Sequence, residues 1–462
     1  MNDEEISEIK KTLIPEVVSD FYNNYIKYFS DPYFENYLIY YTLNIVTNQL
    51  NISKTNYELC EDIVELIEDY VLEYENTIIP KRSYFEEEVD KKYNMDRQIT
   101  KKTIKWLQNV KQPEQRTPEW YTMRNGLFTA SNIWKVFGSE SERNQIIYEK
   151  CNISERKNYS SFNTNTPMHH GVKYEPVSVQ IYEHRNHTTV GEFGCIRHRV
   201  HKFIGASPDG INIDESSDLY GRMLEIKNIY NREITGIPKK EYWIQMQMQM
   251  ETCDLEECDF LETRFIEYEG GYNEFHSDGT FNRSECGCLK GIVMYFVKDG
   301  APYYVYPPID ISREEFDIWE SEQMELYKDC MWVKNLYWRL DEYSCVLVVR
   351  NYMWFNSIID DLSNTWEIIV KERESGFEHR APKKRTNKKE TSKSAYSEPK
   401  LNGCVINIKN LTDNADKDIV DIVEEKSDMI SEDIDNTSED ITTVKKERTI
   451  SIETEPISDA TI

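Results

Sequence analysis

The side chains best suited to chemistry are two carboxylates and one ammonium in the middle of the chain. Asp209 follows a proline and precedes a glycine, so we expect it on a forced turn. Glu225 and Lys227 lie two apart in the apolar run 223–229, which predicts a buried strand with both side chains on one face. Such carboxylates suit Mg²⁺ or Mn²⁺, and a nearby lysine suits a phosphate. Each part alone is more typical of a common turn or a surface ion pair, but together with the neighbouring motifs the pattern favours phosphodiester cleavage.

A second group of residues has the composition of an anion site. The group lies around residues 120–131. A first helix, which carries Trp120 and Met123, is expected to end at Gly126, and Thr129 or Ser131 is expected to cap a second helix directly afterwards. The free N–H groups of a helix start favour an anion, and Arg124 has the geometry to bind two phosphate oxygens. We therefore predict a phosphate pocket here, with an ordinary helix cap as the alternative.

Two predicted helices carry further polar side chains. Glu175 lies in the first, among apolar neighbours, and is either a solvated helix residue or a third acid directed at Asp209. The second carries glutamines at 245, 247 and 249. In a helix Gln245 and Gln249 share a face and Gln247 lies roughly opposite, so not all three reach one site.

The rest of the sequence predicts the elements that must position these residues. Residues 1–100 place apolar side chains at helical spacing, which predicts a helical N-terminal region. Residues 192–213 indicate two strands that meet at a turn and lead to Asp209. The later predicted elements are strands at 259–267, 289–297 and 303–305 and then a helical stretch rich in aromatic residues to about residue 370.

The acidic charge is unevenly distributed along the 462 residues, whose formal net charge is −28. The first 100 residues hold 21 acidic and 9 basic side chains, and residues 411–462 hold 16 and 5. The middle is close to neutral and free to present a basic groove, so the net charge does not exclude nucleic acid. With no long apolar run and no basic, apolar leader, we expect no membrane span, no signal peptide and a soluble, intracellular protein.

The cysteines and the C-terminal region carry weaker signals. Ten scattered cysteines without a secretory leader predict reduced thiols. The nearest to a cluster, Cys253, Cys258, Cys286 and Cys288, lack the CxxC spacing typical of zinc or iron–sulfur sites. Residues 381–389 are basic, as in a DNA-contacting patch, a nuclear-import signal or a solvated linker. The acidic sequence beyond residue 411 predicts disorder.

Five sequence blocks together resemble the lambda-exonuclease and YqaJ-like viral recombinase family, a branch of the PD-(D/E)XK nucleases. The blocks are Glu-Trp-Tyr-x-x-Arg-x-Gly-x-x-Thr-Ala-Ser at 119–131, Gly-x-x-x-Glu at 171–175, Ser-Pro-Asp-Gly at 207–210, Leu-Glu-Ile-Lys at 224–227 and Tyr-x-x-Gln-x-Gln at 242–247. The resemblance implies an α/β fold with a restriction-endonuclease-like core, a central mixed β-sheet flanked by helices. The resemblance covers roughly residues 110–300. Together with the composition of the two ends, it gives an expected helical acidic region at 1–105, a nuclease domain at 106–370 and a disordered basic-then-acidic tail at 371–462.

The resemblance also implies a role for each candidate residue. Asp209 and Glu225 would hold one or two Mg²⁺ (or Mn²⁺) ions, with Glu175 completing the acidic cluster. Lys227 would position the attacking water, supported by a glutamine of the pair Gln245 and Gln247. The residues that look like the pocket for a DNA 5′-phosphate are Arg124, Thr129, Ser131 and Ser207. The implied reaction is hydrolysis of double-stranded DNA inward from a 5′ end.

Other functions fit the same residues. An endonuclease or a single-strand nuclease would use the same site, and a catalytically silent DNA-binding scaffold would use the acidic ends to recruit partners. The expected partners are double-stranded DNA ends, a single-strand annealing protein and further copies of the chain. The implied setting is recombination, repair or processing of the DNA of a large virus, in the host cytoplasm, a virus factory or the nucleus.

Overall fold

The computed structural model describes residues 8–53, 55–85, 96–113, 117–152, 164 and 166–382. The predicted basic cluster from residue 383 onward and the predicted acidic tail lie outside these residues. All described residues belong to one structural unit, Met1–Asn387. None of the helices in these ranges combines the length and the apolar character that a bilayer span requires.

Polar caps and apolar stripes define the helices. Ser139 and Ser312 each form a capping box with the glutamate three residues later. The serine side chain accepts from the backbone N–H of the glutamate, and the glutamate side chain accepts from the backbone N–H of the serine. The α-helices in chain order are α1 (Ile14–Tyr25), α2 (Phe34–Gln49), α3 (Tyr57–Thr77), α4 (Arg97–Asn109), α5 (Pro118–Asn125), α6 (Glu140–Cys151), α7 (Pro167–Asn186), α8 (Lys240–Cys253), α9 (Gly271–Phe275), α10 (Arg313–Leu326) and α11 (Tyr352–Ser375).

The strands form one large and one small sheet. They are β1 (Tyr84–Phe85), β2 (Phe128–Thr129), β3 (Val190–Gly191), β4 (Ile196–Arg197), β5 (Ile204–Ala206), β6 (Gly210–Asn212), β7 (Met223–Asn228), β8 (Glu257–Glu267), β9 (Lys290–Lys298), β10 (Ala301–Val305) and β11 (Met331–Val349). The large sheet has the order β10-β9-β11-β8-β7-β6-β3, with β1 beside β11, and the small sheet has the order β2-β5-β4. In the large sheet β7 and β8 run parallel and their neighbours pair antiparallel, so the sheet is mixed.

Strand β7 lies between two helical layers. Its side chains at 224 and 226 contact Tyr182 of α7, whereas Met223 belongs to the main core together with Trp243 and Met246 of α8. Alternate side chains of a strand point to opposite faces, so α7 and α8 cover opposite sides of the sheet. The predicted central mixed sheet flanked by helices is confirmed.

The predicted helical N-terminal region is also confirmed, and its helices share the main core with the sheet's flanking helices. Phe29, which follows α1, packs its ring centroid 5.5 Å from that of Trp243 in α8. The Trp243 indole Nε1 donates a hydrogen bond of 2.9 Å to the Arg82 carbonyl. Trp243 in turn contacts Trp354 of α11 at 5.0 Å. The N-terminal helices therefore contribute to the environment of α8.

The prediction of continuous helix up to residue 370 is wrong between Met331 and Val349, where the chain forms β11. The first half of β11 pairs with β9 and the second half with β8, with a bulge between Leu340 and Glu342. Leu336, Trp338 and Leu340 alternate with more exposed residues. This period of two is the strand signal that the abundance of aromatic residues obscured.

Candidate active site

Asp209 sits between two strands at a place where the backbone is tightly confined. It lies between β5 and β6 and directly precedes Gly210, where a Cβ atom would come within 2.1 Å of the Val190 side chain. Only glycine therefore fits after the aspartate. The Asp209 Oδ2 atom accepts a hydrogen bond of 2.8 Å from the Ile226 amide, which fixes the carboxylate beside β7.

Glu225 is the centre of the polar cluster and is fully buried in β7. Its Oε1 atom accepts hydrogen bonds from Lys227 Nζ and, at 2.7 Å, from Gln245 Nε2. Its Oε2 atom accepts a bond of 2.6 Å from Gln249 Nε2. Three donors on one carboxylate compensate for its loss of water and hold it in one orientation.

Gln247 does not belong to this cluster, so the pairing of Gln245 with Gln247 is corrected to Gln245 with Gln249. The Gln247 side chain donates a hydrogen bond of 2.8 Å to the Val349 carbonyl and accepts one of 2.7 Å from the Asn351 amide. The reason is the helical period, which turns position 247 away from the face shared by 245 and 249. Gln247 instead ties α8 to the segment that joins β11 and α11.

Lys227 is partly buried and points to the same side of β7 as Glu225, as its spacing predicted. Its ammonium pairs with Glu225 and lies 5.0 Å from the ring centroid of Tyr242. Burial opposes the charge, but attraction to Glu225 and Asp209 outweighs it and raises the pKa of Lys227 above its ordinary value. The side chain is therefore a fixed cation at neutral pH.

Glu175 reaches the cluster from α7. Asn228 of β7 links the strand to that helix. Its Nδ2 donates a hydrogen bond of 3.0 Å to the Gly171 carbonyl, and its Oδ1 accepts one of 2.7 Å from the Ser178 hydroxyl. Glu175 remains accessible to solvent, yet surrounding protein atoms and the charge of Glu225 raise its pKa. Glu175 therefore lies near enough to Glu225 and Asp209 to interact electrostatically with both.

The electrostatics of the cluster fit a hard divalent cation. Burial and repulsion by Glu225 raise the pKa of Asp209 well above its usual range, and the cation Lys227 only partly offsets this. Three carboxylates facing one ammonium leave excess negative charge, and oxygen donors of this kind are preferred by Mg²⁺ and Mn²⁺. Among the residues with described side chains, no three of His, Cys, Asp or Glu form a ready-made metal cage. Asp209 and Glu225, with Glu175 beside them, are the donors that would hold the ion.

The helix start that was expected to form the phosphate pocket is absent at Thr129 and Ser131. Thr129 lies in β2 and pairs with Gly205, and the following 3₁₀ turn begins only at Ile133, so neither Thr129 nor Ser131 caps a helix. Pairing with β5 overrides the cap because it satisfies the backbone of a buried segment. Ser131 is exposed and its Oγ lies 3.4 Å from that of the buried Thr129.

Basic side chains nevertheless lie near the Cys195 thiol, which also has Ser207 as a neighbour. Burial raises the pKa of the Cys195 thiol, and the groups that oppose this effect are Arg124, Ser207, Lys150 and Arg197. Lys150 is buried and donates 2.8 Å to the Arg124 carbonyl. The Ser207 Oγ is buried beside the Cys195 thiol. Three cations and a hydroxyl therefore act on the Cys195 thiol, and Ser207 lies two residues before Asp209.

Comparison with known proteins identifies the segment that carries these residues. Residues 119–256 match the YqaJ-like viral recombinase domain. This segment is similar to that domain. It contains Arg124, the carboxylates at 175, 209 and 225, Lys227 and the glutamines of α8.

Similarity to other proteins extends beyond residues 119–256. An uncharacterised protein of Acanthamoeba polyphaga mimivirus is 31% identical over 337 residues, which cover 65% of this chain and 60% of that protein. Two crystal structures of LHK-Exo, an alkaline exonuclease from Laribacter hongkongensis, are 21% identical. They cover 57% of this chain and 95% of their own, with TM-scores of 0.32 and 0.31, and one contains dAMP.

Three residues of the candidate site were not among the predicted ones. Gln249 shared the face of Gln245 in the helical pattern, so the spacing already contained its signal. Lys150 and Arg197 carried no such signal, because they come from α6 and β4, which only the fold brings near Cys195. Gln249 also links the two regions, since its Nε2 lies 3.4 Å from the Ser207 carbonyl.

Proposed function

We propose that the chain is a Mg²⁺-dependent deoxyribonuclease that hydrolyses double-stranded DNA from a 5′ end. The observation that carries the proposal is the convergence of Asp209, Glu225 and Lys227 inside the segment that matches the YqaJ-like viral recombinase domain. The basic residues near Cys195 and its neighbour Ser207 supply the second requirement, a place for a terminal phosphate.

Asp209 and Glu225 would hold one or two Mg²⁺ or Mn²⁺ ions, with Glu175 beside them. When bound, the metal lowers the pKa of water and offsets negative charge on the leaving oxygen. Gln245 and Gln249 keep the Glu225 carboxylate oriented by donating to different oxygens. Lys227 remains protonated and places its positive charge where a phosphate gains charge during cleavage.

The end preference is assigned to the basic pocket. Arg124 is held by a cation–π contact of 4.5 Å with Trp120, and its guanidinium suits two phosphate oxygens at once. Ser207 supplies a buried hydroxyl close to the acid cluster. A terminal 5′-phosphate bound by these groups would set the position of the first phosphodiester relative to Asp209.

The decisive experiment uses a linear duplex labelled at either the 5′ or the 3′ end, incubated with Mg²⁺ or with EDTA. The wild type should release the 5′ label first and only with Mg²⁺. Lys227→Ala should lose at least about a hundredfold in rate, the usual scale for removing one charge-stabilising group. Lys102→Ala, an exposed lysine of α4, is the matched control and should retain activity.

A second comparison tests the pocket. Arg124→Ala should remove the preference for 5′-phosphorylated over 5′-hydroxyl ends, whereas Arg313→Ala, an exposed arginine of α10, should keep it. Equal and fast cleavage of both ends by Arg124→Ala would point to an endonuclease instead. No cleavage by the wild type, with DNA affinity independent of Mg²⁺, would favour a silent DNA-binding scaffold.

A further inference from the structure

The sulfur atoms of Cys286 and Cys288 lie 3.3 Å apart on a short turn between α9 and β9. This is nonbonded contact between two thiols, and a disulfide requires about 2.05 Å between the same atoms. The turn is closed at its base by an antiparallel bridge between Arg283 and Leu289. The pair is therefore held together by the local backbone.

Hydrogen bonds explain why both sulfur atoms lie on one side of the turn. The Ser284 amide donates 2.9 Å to the Cys288 carbonyl, and the Gly287 amide donates 2.8 Å to the Ser284 carbonyl. Gly287 adopts φ of 81°, a conformation in which a side chain would be strained. The Ser284 Oγ accepts 3.1 Å from the Cys288 amide and lies 3.0 Å from Cys286 Sγ.

The pair differs in environment from the other cysteines that the sequence grouped with it. Cys253 and Cys258 are fully buried, whereas Cys286 is exposed to solvent. Within the described residues no third metal-binding side chain joins the pair, so four-ligand zinc binding is not supported. The hydrogen bond to Ser284 and the contact with Cys288 lower the pKa of the Cys286 thiol. An exposed thiol of this kind with a second thiol in contact is suited to disulfide exchange.

We propose that Cys286 and Cys288 form a redox-active dithiol that exchanges with disulfides of small molecules or proteins. The Cys286 thiolate attacks one sulfur of the incoming disulfide and expels the other as a thiolate. Cys288 then loses its proton and attacks the Cys286 sulfur, which expels the second thiolate. The two cysteines are oxidised to one disulfide, the incoming disulfide is reduced to two thiols, and the protons of the cysteines pass to these products.

The test treats the full-length protein with oxidised glutathione, blocks remaining thiols and measures tryptic peptides by mass. Cleavage after Arg283 and Lys290 gives a peptide, 284–290, that contains Cys286, Cys288 and no other cysteine. We expect this peptide to lose two hydrogen atoms and to carry no glutathione. Cys330, a partly exposed single cysteine, should react about tenfold more slowly than the pair.

Two variants assign the steps. Cys288→Ser should accumulate glutathione on Cys286, because the second attack is lost. Cys286→Ser should react about tenfold more slowly than Cys288→Ser, because the thiol with the lowered pKa is gone. Stable glutathione on both cysteines of the wild type, or reaction no faster than at Cys330, would overturn the proposal. Neither readout involves DNA, so the result does not depend on the proposed nuclease activity.

Discussion

At the scale of the residue, the two buried glutamines of α8 have different roles. Gln249 donates to the buried Glu225, so Gln249→Met leaves that carboxylate with one donor fewer at similar side-chain volume. An unsatisfied buried acceptor costs about 1–3 kcal/mol. We expect nuclease activity to fall roughly tenfold, with more Mg²⁺ needed for half-maximal rate. A Mg²⁺ titration of the cleavage rate measures both effects.

Gln247→Met is the matched control, because Gln247 bonds only the backbone around Val349 and Asn351. Removing it should lower the free energy of unfolding by about 1–3 kcal/mol, since two buried backbone groups lose their partners. Its Mg²⁺ requirement should equal that of the wild type in the same titration. A raised requirement in Gln247→Met, or none in Gln249→Met, would contradict the assignment.

At the scale of the element, helix α3 carries a carboxyl group that makes the N-terminal layer sensitive to pH. Glu75 is 5% exposed, and burial together with the charge of Glu35 raises its pKa to about 7, although a 3.2 Å hydrogen bond from Tyr22 opposes the shift. The folded state therefore binds this proton more tightly than the unfolded chain does. Stability is highest below the unfolded pKa and declines as pH rises towards the folded value.

Glu75→Gln keeps the acceptor for Tyr22 and removes the titration. It should match the wild type at about pH 4 and exceed it at about pH 8 by roughly 3 kcal/mol in free energy of unfolding. Urea unfolding at both pH values measures the difference. Glu73→Gln, an exposed position of the same helix, should change neither value; a pH-independent gain at Glu75 would reject the explanation.

Local patterns predicted elements well where one period dominated the sequence. The strand around Glu225 and the shared face of Gln245 and Gln249 followed from periods of 2 and 3.6 residues. The pattern failed where long-range pairing decided the outcome. Thr129 became a strand residue because β5 supplies its partner, and β11 became a strand because β8 and β9 do. Likewise, no local signal marked Lys150 and Arg197 as neighbours of Cys195.

At the scale of the whole molecule, the N-terminal helices and α8 share one hydrophobic core. Trp243 is 1% exposed and contacts Phe29 and the Arg82 carbonyl. Removing residues 1–110 would expose this tryptophan and its neighbours to water, at about 25 cal/mol for each Å² of apolar surface. We expect the shortened chain to be insoluble or unfolded, as measured by soluble yield and circular dichroism.

A chain ending at Asn387 is the control, because it keeps the complete structural unit Met1–Asn387. It should remain folded and should unfold in a single cooperative transition. A soluble, cooperatively folding chain that lacks residues 1–110 would show instead that the predicted boundary near residue 105 separates two independent domains.

Strand β11 has a mechanical consequence for the sheet. Its 19 residues bond β9 along the first half and β8 along the second, so one continuous segment crosses the sheet between the two. A load applied along this segment acts on both ladders in shear, which requires many hydrogen bonds to break together. The two halves of the sheet should therefore resist stretching as one unit and give a single high-force rupture.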